Sequence, residues 1–144
     1  MVSAADHAWK THLRSRGHRL TPQRERVLAA VDHLGHGTPD QVHAEVVAHA
    51  PTSSLSTTYR ALTLLADLEL ISVVTLADRT PVYHSKQTPH HVHLSCEACG
   101  SVSDAAPGEF ADLTAQLCER HGFAVSLERL VIVGRCAACR EAES

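Results

Sequence analysis

Pro51-Thr52-Ser53-Ser54-Leu55-Ser56-Thr57-Thr58-Tyr59-Arg60-Ala61-Leu62-Thr63-Leu64-Leu65 is the stretch on which the fold turns. Its polar opening leads into a helix predicted over about 55–69, with Leu55, Leu62 and Leu65 facing inward. Ser56, Thr57 and Arg60 fall at spacings of four and three, so they form a polar outer face on that helix. Upstream, Thr21-Pro22 reads as a helix start, with threonine as the cap and proline at the first helical position, where its missing N–H costs nothing. Val27, Leu28, Val31 and Leu34 then recur along one helical face that ends near Gly35. Thr38-Pro39 repeats the punctuation, and Gln41 completes a capping-box pattern ahead of a stripe on Val42 and Val46. A shorter helix is expected over 6–16, running into Gly17.

Downstream, Ile71–Leu76 and Pro81–His84 read as two strands joined by Ala77-Asp78-Arg79-Thr80. Helices followed by a hairpin is the order of a winged helix-turn-helix DNA-binding domain. A small helical domain with a merely solvated Ser/Thr/Arg face fits the same pattern. Charge favours the first reading at the N-terminus, where six bases up to residue 26 face two acids. Beyond residue 85 the balance reverses, with five bases against eight acids. The overall net charge of −3 hides this asymmetry.

The chain of 144 residues has 44% hydrophobic and 20% charged residues, which excludes a disordered polymer and allows one domain or two small ones. Its longest apolar runs, such as Leu130–Val133, are far short of the roughly 20 residues that cross a bilayer, and the expected location is the cytoplasm. Twelve histidines and five cysteines are the unusual figures. In a reducing compartment an odd cysteine count points to metal before disulfides.

Cys96-Glu97-Ala98-Cys99 and Cys136-Ala137-Ala138-Cys139 are two CxxC knuckles 36 residues apart. A two-residue spacer lets both thiolates of a knuckle reach one ion, so the four cysteines are expected to hold a structural Zn²⁺. Disulfides or redox CxxC chemistry are the alternatives. Cys118, on a predicted helix over 107–121, is expected to be a small buried hydrophobe. Phe123, Val125 and Leu127 alternate and Leu130–Val133 follows, predicting a long strand bent near Glu128-Arg129 of the kind that pairs across a dimer interface. Most histidines, among them His12, His18, His43 and His49, are scattered over helices and read as surface residues. His90-His91-Val92-His93 is different, because three imidazoles within four positions are not packing residues. In a strand, His91 and His93 point to one face, where His84, His36 and Asp104 could complete a site drawn from both halves.

Together Arg19-Leu20-Thr21-Pro22-Gln23-Arg24, Ser56-Thr57-Thr58-Tyr59-Arg60, the histidine run and the two knuckles give a specific resemblance. The chain resembles the ferric uptake regulator family over nearly its whole length. The resemblance implies an α+β fold, with a winged helix-turn-helix domain over 1–84, a hinge at 85–89 and an α/β dimerisation domain over 90–144. It implies structural zinc at Cys96, Cys99, Cys136 and Cys139, and a regulatory metal held by His36, His84, His91, His93 and Asp104. It further implies a homodimeric repressor of metal homeostasis or peroxide response, not an enzyme. Such a repressor would meet a double-stranded DNA operator through Ser56, Thr57, Tyr59 and Arg60, with Arg16 or Arg19 near phosphates or the minor groove.

Departures from the family pattern bear on the metal. His84 stands where iron and peroxide sensors commonly carry a carboxylate, so its imidazole makes a softer, His-rich site that tolerates Ni²⁺, Zn²⁺ or Co²⁺ as well as Fe²⁺; one regulatory divalent ion per subunit, Fe²⁺, Ni²⁺, Zn²⁺ or Mn²⁺, is expected. Ser85 stands where zinc sensors typically bring a cysteine, and Val73 and Thr75 stand where a nickel-sensing branch uses histidines. The family's additional site is poorly supplied, with Val92, Ala111 and Glu128 at its partner positions; His90 and His121 are the residues left near it. A metal-storage or trafficking protein would explain the histidines but leave the Thr/Tyr/Arg helix idle. A zinc hydrolase lacks an HExxH base.

Overall fold

The computed structural model describes residues 4–19 and 21–142, with side chains from Lys10 onward. Leu20 of the arm motif lies outside the described residues. The chain divides into two compact units: Met1–Ser72 with Tyr83–Thr88, and Val73–Val82 with Pro89–Ser144.

The first unit is helical: α1 (Ala4–Ser15), α2 (Pro22–Leu34), β1 (His36–Gly37), α3 (Pro39–His49) and α4 (Leu55–Asp67). Each of the three later helices starts on a hydroxyl cap. Thr21 Oγ1 accepts from the Arg24 N–H at 3.3 Å, and Ser54 Oγ from the Thr57 N–H at 3.2 Å. On α3 the capping box is complete, because the Thr38 N–H also donates to Gln41 Oε1 at 2.9 Å. Val27 and Val31 of α2, Val42 and Val46 of α3, and Leu62 and Leu65 of α4 are spaced one turn apart and buried together with Leu13. Leu55 and Leu34 depart from expectation, at 40% and 37% exposed. They occupy the first and last helical positions, and the inward stripe of α4 begins only at Thr58.

A hairpin of β2 (Ile71–Thr75) and β3 (Pro81–Ser85) follows, and the three-stranded sheet runs β1-β3-β2. The two-residue β1 pairs antiparallel with β3, setting His36 opposite His84. Arg79 at φ +68° makes the tight turn at the hairpin tip.

The second unit contains β4 (Val92–Cys96), β5 (Val102–Ala105), α5 (Ala111–His121), β6 (Val131–Gly134) and α6 (Ala137–Glu141). The sheet order is β5-β4-β6, antiparallel on one side and parallel on the other. β4 starts at Val92 rather than His90, because its first ladder partner, Ala105, is where β5 ends. The predicted helix over 107–121 opens as a 3-10 turn, Pro107–Phe110, and closes on Gly122 at φ +61°. The predicted long strand is not formed: residues 123–126 carry no ladder, Leu127–Arg129 is a 3-10 turn, and only Val131–Gly134 pairs. A strand needs a neighbour for its N–H and C=O groups, and among the described residues this chain offers none to 123–126. For a related reason Cys118 is exposed rather than buried: no residue of α5 is buried within the chain.

Candidate functional site

The second unit carries the four-cysteine cluster. Cys96 ends β4 opposite Gly134 of β6, and Cys136 caps α6, so the sheet register carries one knuckle to the other. The Glu97 N–H donates to the Gly134 carbonyl at 2.9 Å and Gly100 turns the first knuckle at φ +75°. One sulfur from each cysteine lies within 4.8 Å of the other three. Cys99 and Cys136 are 3.7 Å apart, which rules out a bond between them. It matches the edge of about 3.8 Å in a tetrahedron of 2.3 Å Zn–S bonds. All five cysteines are free thiols.

Electrostatics in the cluster are those of thiols that cannot all ionise alone. The Cys136 and Cys99 backbone N–H groups favour the Cys96 thiolate and lower its pKa from 9.0 to about 6. The Cys139 backbone N–H lowers that of Cys136. Hydrogen bonding to Cys136 and Cys99 pushes Cys139 up to about 12. A cation relieves that conflict, since a bound metal keeps every coordinating thiol deprotonated. The residues therefore fit a closed S₄ site.

The histidines form one set in each unit. In the second unit, His93 is register partner to Asp104, is 2% exposed, and has its Nδ1 2.9 Å from the Asp104 carboxylate. A carboxylate on Nδ1 orients the ring and leaves Nε2 as the ligating nitrogen. His91 Nε2 is 3.7 Å from the same carboxylate, and the His91 and His93 rings meet edge to face at 4.7 Å. The two rings thus share a side, as strand alternation led one to expect, although His91 itself precedes β4. In the first unit, His36 and His84 stack at 5.3 Å between ring centroids across the β1–β3 pair. His90 instead takes Glu128, at 3.1 Å. His121 is exposed at the end of α5, and neither it nor His90 falls in a cluster of three potential ligands among the described residues.

On α4, Ser56, Tyr59 and Arg60 are exposed, while Thr57 is half-buried with its hydroxyl 2.7 Å from Ser54 Oγ. Arg16 and Arg19 are exposed, and the Arg24 guanidinium donates to the Arg19 carbonyl, tying the arm to α2. Two contacts escaped the sequence reading. His43, expected as a surface residue, is half-buried with its Nδ1 2.9 Å from the Thr58 hydroxyl, under the outer face of α4. The buried Ser95, between His93 and Cys96, accepts from the Ala77 N–H at 3.2 Å. No spacing rule pairs residues so far apart in the chain.

A winged helix carrying an exposed Ser/Tyr/Arg helix, in one chain with a small α/β unit that has clustered thiols and imidazoles, defines a metalloregulator architecture. The ferric uptake regulator family model matches residues 15–133. The ferric uptake regulation protein of Synechococcus elongatus is 31% identical over 135 residues, 91% of this chain and 92% of that one. The peroxide operon regulator of Bacillus subtilis is 32% identical over 136 residues, 92% and 91% of the two chains. Among solved structures, the ferric uptake regulator Fur of Helicobacter pylori matches at a TM-score of 0.77 and 21% identity, covering 100% of this chain and 97% of that one. The chain belongs to the ferric uptake regulator family and is a metal-responsive transcriptional regulator. Regulators of this family are transcription factors rather than enzymes. No helix among the described residues is long and apolar enough to cross a membrane.

Proposed function

We propose that the chain is a homodimeric, cytoplasmic repressor that binds an operator when a regulatory divalent ion joins its two histidine sets. The observation that carries this reading is the pairing of imidazoles in each unit: His36 with His84, and His91 and His93 with Asp104. Each set alone is an incomplete shell, and together they offer four imidazoles and a carboxylate, a donor set suited to Fe²⁺, Ni²⁺, Zn²⁺ or Mn²⁺. The domains would be 1–84 for DNA, 85–89 as hinge and 90–144 for metal and dimerisation. When bound, the ion supplies coordination energy to whichever arrangement of the domains lets both sets reach it.

The protein's own residues have three further tasks. Cys96, Cys99, Cys136 and Cys139 would hold structural zinc, supported by the tetrahedral sulfur spacing. Ser56, Thr57, Tyr59 and Arg60 would face the major groove and Arg16 and Arg19 the phosphates or minor groove, supported by the exposure of Ser56, Tyr59 and Arg60 on α4 and of the two arginines on the arm. A second copy would cover α5, the 123–126 segment and the outer edge of β6. Leu113 at 50%, Phe123 at 60% and Val133 at 51% exposed support that assignment.

DNA mobility on genomic fragments, with and without Fe²⁺, Mn²⁺, Ni²⁺ or Zn²⁺, tests the reading. Metal should stimulate binding by the native chain, and His91→Ala and His36→Ala should each abolish the stimulation while keeping the cysteine-bound zinc. DNA binding that stays metal-dependent in both variants would place the switch elsewhere, with His90 and His121 next to be tried. A chain that binds metal but no DNA would be the storage or trafficking protein.

A further inference from the structure

His36 and His84 face each other across a strand pairing that is too short to hold itself. β1 is two residues long, and one ladder position beyond it the Ser85 N–H donates to the Gly35 carbonyl oxygen at 2.9 Å. Strands that brief are marginal without further contacts. Those contacts gather on Ser85, which is 3% exposed. Its hydroxyl donates to the Asp32 carboxylate of α2 and accepts from the Gln87 N–H at 3.0 Å, so the buried group is satisfied on both sides. The Thr88 hydroxyl also reaches the Gly35 carbonyl oxygen, at 3.5 Å. All of these residues belong to the first unit.

Asp32 stands in the last turn of α2, where the helix dipole disfavours an acid. Its contact with Ser85, rather than helix stability, accounts for a carboxylate there. Gly35 ends the helix at φ +77°, and a Cβ on it would approach the Thr88 side chain to 3.4 Å, so the helix end and the segment after β3 are closely packed. Gly35 and Ser85 are the immediate chain neighbours of His36 and His84. Taking those two histidines as ligands of the regulatory ion, as proposed above, we propose that Asp32 and Ser85 are positioning residues that clamp β3 to the end of α2 and keep the imidazoles stacked before any ion arrives. Neither residue touches the ion; each acts through the backbone of a histidine. Order set in advance raises affinity, because a site that is formed only part of the time binds more weakly by that fraction.

Mn²⁺ titration of the zinc-loaded, full-length protein, followed by electron paramagnetic resonance, tests the clamp. Asp32→Ala and Ser85→Ala should each weaken Mn²⁺ binding by about tenfold, as losing a group that orients metal ligands does. Because the two residues share one hydrogen bond, the double variant should be little worse than either single one. Asp32→Asn keeps an acceptor oxygen and should recover most of the affinity. Before Mn²⁺ is added, the Gln87 amide should exchange its hydrogen faster in Asp32→Ala than in the native chain, and at the native rate in Asp32→Asn. Native Mn²⁺ affinity in Asp32→Ala, beside its loss in His36→Ala, overturns the clamp and leaves the metal reading standing. Native affinity in His36→Ala overturns both. Independent losses that multiply in the double variant also overturn the clamp, since they would give Asp32 and Ser85 separate structural roles.

Discussion

The two units solve the problem of burial in opposite ways. Val27, Val31, Val42, Leu62 and Leu65 of the helical unit are each fully buried by its own neighbours. In the second unit, no residue of α5 is buried, and Leu113, Phe123 and Val133 are half or more exposed. One unit closes its core within a single chain; the other leaves apolar area and four crowded thiols that need something from outside. A domain of that size is hard to stabilise by its own core, and a metal and a partner subunit are the usual remedies. On the proposed reading, operator recognition falls to the self-sufficient unit, while the structural ion and the partner subunit serve the dependent one.

The sharpest way to break that comparison is to remove one sulfur. Cys96→Ser should cost the second unit its ion, and structural zinc sites contribute on the order of 10 kcal/mol or more to folding. Zinc content by elemental analysis should fall to near zero per subunit and the dimer should dissociate, while far-ultraviolet circular dichroism retains the helices of the first unit. A variant that keeps one tightly bound zinc and unfolds normally would show that the second unit stands without the cluster.

The converse change belongs in the helical unit. Leu65→Ala removes a fully buried side chain from α4 and should cost about 2–5 kcal/mol. Because that core is closed within one chain, the loss in thermal stability should not depend on protein concentration, whereas Phe123→Ala should weaken the protein mainly by making its stability concentration-dependent. Equal concentration dependence for the two variants would erase the distinction between the units.

Legibility in the sequence followed the same divide. Thr21-Pro22, Thr38-Pro39-Asp40-Gln41 and Ser54 are local signals, and they start the helices where expected because a cap is decided within four residues. The knuckles were equally plain, since each CxxC brings two thiols together without help from the rest of the chain. The two-residue β1 was missed because only its pairing with β3 makes it a strand. The predicted strand through 123–126 and the burial expected of Cys118 both fail for want of a neighbour among the described residues. Among the histidines, clustering in sequence singled out His91 and His93. His84, His36 and Asp104 entered as candidates to complete that pair, but that His36 stands opposite His84 in the β1–β3 register was not legible, because nothing local joins positions so distant.

Smaller in effect is the face on which recognition rests. Arg60→Ala removes an exposed guanidinium from α4 and should weaken specific operator binding by about 1–3 kcal/mol. Metal content and thermal unfolding should be unchanged. Unaltered operator affinity at matched salt would move base readout to other residues of the helix.

The smallest effect separates two caps within the self-sufficient unit. Thr38 both accepts from the Gln41 N–H at 3.3 Å and donates its own backbone N–H to the Gln41 side chain, whereas Thr21 only accepts from Arg24. Losing a threonine cap costs about 1 kcal/mol, because an N–H in the first turn is left without its acceptor. Thr38→Ala removes one half of a reciprocal pair and loosens the other, since Gln41 is no longer held over the helix start. It should therefore destabilise the first unit more than Thr21→Ala, which removes a single contact to the Arg24 N–H. Denaturant midpoints for the two variants measure the difference directly. Equal losses would mean that the Gln41 contact adds nothing, and that α3 is seated by Val42 and Val46 alone.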